Sequence, residues 1–188
     1  MPQQELLIAV IRALDGARIP YMLTGSLVSS MQGEPRATHD IDVIVSLQTA
    51  DVGQLVSVFA PPRYYLDPDD VHEAIREGSM FNVIDASDGG KVDFWMLSDE
   101  ALDASRFERR RRESVLGTPA YVSSPEDTIV AKLRWAKMSG GSEKQFGDAL
   151  RVYEVQYPDL DLAYVEGWVQ ELELADLWSR LLAEALTE

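Results

Sequence analysis

Three aspartates in strand-like segments are the residues whose types and spacing point most directly to chemistry. Asp40 and Asp42 stand in "DIDVIVSL", and Asp93 stands in "KVDFWML". Aspartate is disfavoured in strands, and ionised carboxylates on one strand face repel each other unless a cation lies between them. Such oxygen ligands suit Mg²⁺ or Mn²⁺, whose coordination is commonly completed by substrate phosphates. The three carboxylates therefore predict a metal site with enough ligands for two ions.

A Gly-Ser pair supplies the complementary part of such a site. Gly25 and Ser26 follow the apolar run "YML" and open the helix-like segment "SLVSSMQ". Backbone amides at a helix start attract phosphate, glycine permits close approach, and the Ser26 hydroxyl adds a donor. Turn and carboxylates together predict a metal–nucleotide site. Alone, each has a simpler explanation, because Gly-Ser turns are common and an Asp-x-Asp can cap a strand.

The loop "EPRATH" carries three further candidates just before Asp40. Arg36 and Thr38 are expected either to contact phosphate and orient the aspartates or simply to bond with the backbone. Alternation along the chain turns His39 away from the aspartates, so we expect a structural role for it.

Apolar periodicity indicates the elements that must position these residues. "IPYMLTG" and "DIDVIVSL" are typical of strands, with a helix from Ser26 to Gly33 between them, and alternation predicts that Asp40 and Asp42 share one face. "SMFNVIDASDGGKVDFWML" predicts a hairpin that turns at "DGG" and carries Asp93 on its second strand.

The remaining segments are mainly helical in pattern. An apolar stripe over residues 3–14 predicts an N-terminal helix, and "TADVGQLVSVF" and "PDDVHEAIREG" predict two more around a short edge strand, "RYYL". Ser124 and Ser142 are expected to cap the first two of four C-terminal helices. The pattern predicts an α/β (α+β) region over residues 1–122 and a helical subdomain over residues 123–188.

Composition and charge narrow the function further. No apolar run is long enough to cross a membrane, and "MPQQELLIAVIRAL" lacks the basic start of a signal peptide, so we expect a cytoplasmic protein without a membrane partner. The formal net charge of -15 repels nucleic acid over most of the surface. The exception is "RFERRRR" at 106–112, which is either a solvated helix end or a phosphate-binding surface.

The motifs resemble those of a known superfamily. "TGS", then thirteen residues, then "DID", with a later "KVDF", is similar to the Gly-Ser…Asp-x-Asp…Asp signature of the DNA polymerase β-like nucleotidyltransferases. "PRATHDIDVIV", "SPEDTIVAKLRWAK" and "SEKQFGDALRV" are similar to segments of a bacterial group that contains the toxin halves of abortive-infection toxin–antitoxin pairs. The resemblance covers residues 21–152.

The resemblance implies a small mixed β-sheet flanked by helices, with the helical subdomain closing a nucleotide cleft. It implies transfer of a nucleoside monophosphate from a triphosphate such as ATP to an acceptor hydroxyl, with release of pyrophosphate. Asp40 and Asp42 would hold the metals, Asp93 would complete the metal nearer the acceptor, and Gly25 and Ser26 would hold the triphosphate.

In the toxin-like group a helical lysine and a later aspartate also matter, and they match Lys132 and Asp148. Lys132 would bind phosphate, or else lie on an exposed helix face. Asp148 would act in catalysis, or else form a surface pair with Lys144 or Arg151.

Several alternatives stay open from the sequence. The acceptor could be a small molecule, a protein or an RNA, and an antitoxin-like partner or a homodimer could form. A second hypothesis is a catalytically inactive protein of the same fold that binds a nucleotide or a partner chain. A third is a sugar-nucleotide glycosyltransferase, although that leaves the Gly-Ser turn unexplained.

Overall fold

The computed structural model describes residues 2–38 and 40–186, and His39 lies outside them. These residues form seven strands and nine α-helices. The strands are β1 Tyr21–Thr24, β2 Ile41–Val45, β3 Tyr64–Tyr65, β4 Met80–Asp85, β5 Lys91–Met96, β6 Arg111–Val115 and β7 Thr118–Val122. The helices are α1 Pro2–Ala17, α2 Gly25–Gln32, α3 Val52–Val58, α4 Pro68–Glu77, α5 Ala101–Glu108, α6 Pro125–Met138, α7 Glu143–Gln156, α8 Leu162–Glu171 and α9 Ala175–Glu184.

All seven strands join one mixed sheet in the order β3-β4-β5-β2-β1-β7-β6. The pairs β2–β5 and β1–β7 are parallel, and the other neighbours are antiparallel. The predicted mixed sheet with flanking helices is therefore confirmed, as is the hairpin of β4 and β5.

An apolar layer crosses one face of the central strands. Leu23, Val43, Phe94 and Phe81 lie opposite one another on four neighbouring strands and are at most 2% exposed. The two phenyl rings stack with centroids 4.9 Å apart. Because side chains alternate along a strand, the residues on either side of each of these four point to the opposite face. This alternation brings the polar residues described below together.

The first helix has the predicted apolar stripe. Leu6, Val10, Ile11 and Leu14 are at most 1% exposed, so one face of α1 is buried in the core. The helix continues three residues beyond the predicted 3–14, to Ala17. None of the described helices combines the length and apolar character that crossing a membrane requires.

The chain divides into two compact units. The first consists of Met1–Gly25 and His39–Val122 and contains the sheet, and the second consists of Ser26–Thr38 and Ser123–Glu188. Within the second unit, Gln32 donates a hydrogen bond to the Ser123 carbonyl (2.6 Å), and its own carbonyl accepts one from Gln156 (2.7 Å). These bonds tie the end of α2 to the C-terminal helices.

Two sequence predictions need correction. The run 106–112 is not a solvated helix end, because α5 stops at Glu108, Arg106 is 7% exposed, and β6 begins at Arg111. Strand β2 begins at Ile41, so Asp40 precedes it, and strand alternation does not assign it to the face of Asp42. By contrast, Ser124 and Ser142 cap α6 and α7 as predicted.

Candidate active site

A row of four polar residues crosses the face opposite the apolar layer. Thr24 pairs with Asp42, Asp42 with Asp93, and Asp93 with Asn82, on β1, β2, β5 and β4. Residues directly opposite on neighbouring strands have Cβ atoms about 5 Å apart and share a face. This polar row therefore brings two predicted carboxylates, Asp42 and Asp93, side by side.

Gly25 follows the row's first strand and contacts Asp42 closely. Its φ is +71°, in the left-handed region that favours glycine. A Cβ at this position would lie 2.1 Å from Asp42 Oδ2 and 2.8 Å from its Cγ. The absent side chain thus lets the backbone at the start of α2 lie against the carboxylate, which a Cβ at this position would displace.

Two neighbours on β5 contact the carboxylates. The Lys91 Nζ lies 2.9 Å from Asp93 Oδ1 as an ion pair without hydrogen-bond geometry, and the Asp93 side chain is 16% exposed. The Trp95 Nε1 donates a long hydrogen bond of 3.4 Å to Asp42 Oδ1, and Trp95 is 40% exposed. The site is therefore partly open and already contains one counter-charge.

Asp40, the third predicted carboxylate, is exposed just before β2. Across 2–38 and 40–186, no three carboxylate or imidazole side chains lie close enough to hold one ion. The register therefore brings Asp42 and Asp93 together, and a metal-binding role for Asp40 stays a prediction.

Arg106 supports the first member of the polar row. Its Nη2 donates to Thr24 Oγ1 (3.0 Å), and its Nη1 lies 3.2 Å from Asp103 Oδ1. Asp103 in turn accepts a hydrogen bond of 2.5 Å from Ser98. Arg106 is thus a buried structural residue, whereas Arg111 and Arg112 of the same run are exposed, and phosphate binding by them stays a prediction.

A second cluster of charged residues lies within the second unit. Asp148 Oδ2 accepts hydrogen bonds from Lys132 Nζ (2.8 Å) and Arg36 Nη2 (2.8 Å), and Oδ1 accepts one from Arg36 Nε (3.1 Å). Ser29 donates to Asp148 at 3.3 Å, and Arg36 Nη2 also donates to Ser26 Oγ at 3.2 Å. We call these five residues the Asp148 cluster.

Electrostatics favour the ionised form of Asp148. Burial would raise its pKa, but the hydrogen bonds and positive charges of Arg36 and Lys132 outweigh burial and hold the pKa below its usual value. The backbone of Arg36 is fixed as well, because its amide donates to Ser30 Oγ (2.8 Å) and its carbonyl accepts from the same hydroxyl (3.0 Å).

The two surface alternatives for this region are wrong. The Asp148 side chain is 9% exposed and pairs with Arg36 and Lys132, not with Lys144 or Arg151. Lys132 is 5% exposed and does not lie on a solvated helix face. The sequence did not indicate this pairing, because the Arg36 loop lies more than a hundred residues before Asp148.

Arg36 is the accessible member of the Asp148 cluster. Its side chain is 33% exposed, and it borders a cavity of about 460 Å³ within the second unit. Thr38, two residues further along the same loop, is half-buried. A cavity of this size is typical of small-ligand sites.

The fold is shared with solved nucleotidyltransferase structures. The antibiotic-resistance factor ANT(2'')-Ia in complex with adenylyl-2''-tobramycin has a TM-score of 0.56 and 17% identity, over 96% of this chain and 99% of that one. The solution structure of ANT(2'')-Ia has a TM-score of 0.53 and 14% identity, over 97% of this chain and 94% of that one. A nucleotidyltransferase candidate from Thermotoga maritima has a TM-score of 0.50 and 18% identity, over 72% and 86%.

Comparisons with models of protein families and with curated protein sequences gave no match. The structural likeness therefore defines the class of fold, and the chain has a nucleotidyltransferase fold.

Proposed function

We propose that the protein is a metal-dependent nucleotidyltransferase, which moves a nucleoside monophosphate from a triphosphate to an acceptor hydroxyl and releases pyrophosphate. The arrangement of Gly25, Asp42 and Asp93 is the observation that carries the proposal. It combines two neighbouring carboxylates with the backbone of a helix start on a fold of this class.

The residues present fit a Mg²⁺ or Mn²⁺ ion. Mg²⁺ is usually held by one or two protein carboxylates together with substrate phosphates, so Asp42 and Asp93 suffice as its protein anchors. Asp93 Oδ1 accepts no hydrogen bond among the described residues, and the Lys91 ammonium beside it at 2.9 Å is a counter-charge that a divalent ion would displace. Asp40 is proposed as a further ligand. The ion supplies charge stabilisation at the reacting phosphate.

The chain's own residues bind and orient the reactants. The amides of Gly25 and Ser26 bind the triphosphate at the positive end of α2. Asp93 accepts the proton of the attacking hydroxyl, and Lys91 limits the negative charge around that carboxylate. General-base help of this kind contributes roughly 10² to 10⁴ in rate.

In the second unit, Arg36 is the proposed phosphate-binding cation, because it is accessible whereas Lys132 is buried. Asp148 and Ser26 hold its guanidinium by the contacts described above, and Lys132 donates a hydrogen bond to the same carboxylate. Thr38 is proposed to fix the same loop.

A small-molecule or protein hydroxyl suits the net charge of -15 better than RNA does. The complex of ANT(2'')-Ia with adenylyl-2''-tobramycin supports a small-molecule acceptor. A toxin–antitoxin role with a partner protein, a homodimer and a cytoplasmic location remain proposals from the sequence. Catalytic inactivity with retained nucleotide binding is the alternative function.

Pyrophosphate release tests the proposal. Each of the four nucleoside triphosphates is incubated with Mg²⁺ or Mn²⁺ and a cell extract as the source of acceptors, with the native chain, Asp42→Asn or Asp70→Asn. Asp70 is an exposed aspartate in the first turn of α4, so its variant removes the same charge away from the site. We expect release with the native chain and Asp70→Asn and its loss with Asp42→Asn.

Equal release by all three proteins would contradict the proposal, because the activity would then come from the extract. Nucleotide binding without release from any triphosphate would favour the inactive alternative. Label transferred from an α-labelled triphosphate to one fraction of the extract would identify the acceptor class.

A further inference from the structure

Asn82 is the member of the polar row that the proposed function leaves without a role. It lies on β4 directly opposite Asp93, on the side away from Asp42. Its residue is half-buried, and its Oδ1 atom is buried without a hydrogen-bond partner among the residues described. A polar group buried in this way destabilises the fold unless something binds it.

Asp93 Oδ1 is the second buried oxygen without a hydrogen bond at this position. Thus two neighbouring residues on one sheet face each have an acceptor oxygen that lacks a hydrogen bond. An ionised carboxylate and an amide oxygen can only accept, so they cannot satisfy each other. The Lys91 ammonium, 2.9 Å from Asp93 Oδ1, already supplies a positive charge to the carboxylate, whereas the Asn82 oxygen has no hydrogen-bond partner among the described residues. A divalent cation between the two residues would bind both oxygens.

We propose that the Asn82 carbonyl oxygen is a further protein ligand for the divalent ion assigned above to Asp42 and Asp93. Carboxylate and amide oxygens are the donors that Mg²⁺ and Mn²⁺ take in proteins, and a neutral oxygen adds a ligand without adding negative charge. With Asn82 included, the row offers three oxygen-bearing side chains in consecutive register on β2, β5 and β4.

This inference rests on the proposed function, since both require a divalent ion at Asp42 and Asp93. The full-length chain is titrated with Mn²⁺ alone, and free Mn²⁺ is measured by electron paramagnetic resonance. The variants are Asn82→Ala, Asn82→Asp and Asp93→Asn. Ile84→Val is the matched control, because Ile84 lies on the same strand and face but opposite Lys91.

We expect Asn82→Ala to weaken Mn²⁺ binding about tenfold, the lower end of what loss of a supporting group at a metal site costs. Asn82→Asp keeps the shape, adds charge and should bind Mn²⁺ more tightly than the native chain. Ile84→Val should not change the dissociation constant. Circular dichroism melting checks that each variant folds. If Asn82→Ala does not fold, Asn82→Asp decides whether Asn82 binds the ion.

The outcomes separate the two proposals. Unchanged binding in both Asn82 variants, with weaker binding in Asp93→Asn, would overturn the role of Asn82 and leave the proposed function standing. A native chain that binds no Mn²⁺ up to several millimolar would overturn the shared metal site itself.

Discussion

Replacing Asp148 with alanine tests the electrostatics of the second unit most directly. The Asp148 side chain is 9% exposed, and it accepts hydrogen bonds from Arg36, Lys132 and Ser29. Removing one partner of a buried ion pair costs about 3–5 kcal/mol, because the other charge stays buried. Arg36 is one-third exposed and can be rehydrated, whereas Lys132 is 6% exposed, so we expect about 3 kcal/mol.

The expected loss can be measured by urea unfolding and thermal melting of the native chain and Asp148→Ala. For a chain of this size, about 3 kcal/mol corresponds to a fall of roughly 6–12 °C in Tm. Replacing Lys132 by methionine in the same chain removes the buried ammonium and should recover part of the loss. The control is Arg76→Ala, which breaks the exposed ion pair of Arg76 with Glu77 and should change the free energy of unfolding by less than about 1 kcal/mol.

The pH dependence gives a second, independent measure. Since the pKa of Asp148 is lowered in the folded protein, its stabilisation is present above the unfolded value of about 4 and is lost as the pH falls through the folded value. The stability difference between the two proteins should therefore shrink below about pH 4. A loss under about 1 kcal/mol at neutral pH, or a difference that does not shrink in acid, would refute the reasoning.

Two further predictions concern the first unit. Gly25→Ala should displace the Asp42 carboxylate, because the new Cβ would lie 2.1 Å from Oδ2. We expect it to weaken Mn²⁺ binding, measured by calorimetry, about tenfold or more. Gly53→Ala is the control and should not change binding, because its Cβ would meet open space. Lys91→Gln should tighten Mn²⁺ binding several-fold, because it removes a positive charge 2.9 Å from Asp93 Oδ1. Unchanged or weaker binding in Lys91→Gln would show that the ammonium does not compete with the ion.

Local sequence patterns were sufficient for much of the fold. The strands around Gly25 and Asp42, the hairpin that carries Asp93 and the caps at Ser124 and Ser142 were predicted because each signal lies within a few consecutive residues. The hairpin of β6 and β7 was not predicted, because its first strand begins with Arg111 and Arg112, the end of a run of arginines. Gly117 at the turn was the available sequence signal, and its φ is +78°.

Contacts between distant segments were the part that the sequence could not supply. Asn82 became a candidate only through its register opposite Asp93, and Trp95 only through its hydrogen bond to Asp42. The pairing of Arg36 with Asp148 likewise depends on a contact across 112 positions. A single sequence carries no signal for such pairings, whereas residue type and spacing indicated the carboxylates themselves.

The composition of the second unit has a consequence for synthesis on the ribosome. Its first segment, Ser26–Thr38, is separated from Ser123–Glu188 by about 80 residues. At roughly 5–20 residues per second, α2 is made some 4–16 s before the first of the partners of Gln32, which are Ser123 and Gln156. During that interval the end of α2 cannot form its native hydrogen bonds to the C-terminal segment, so this unit can be completed only late in synthesis.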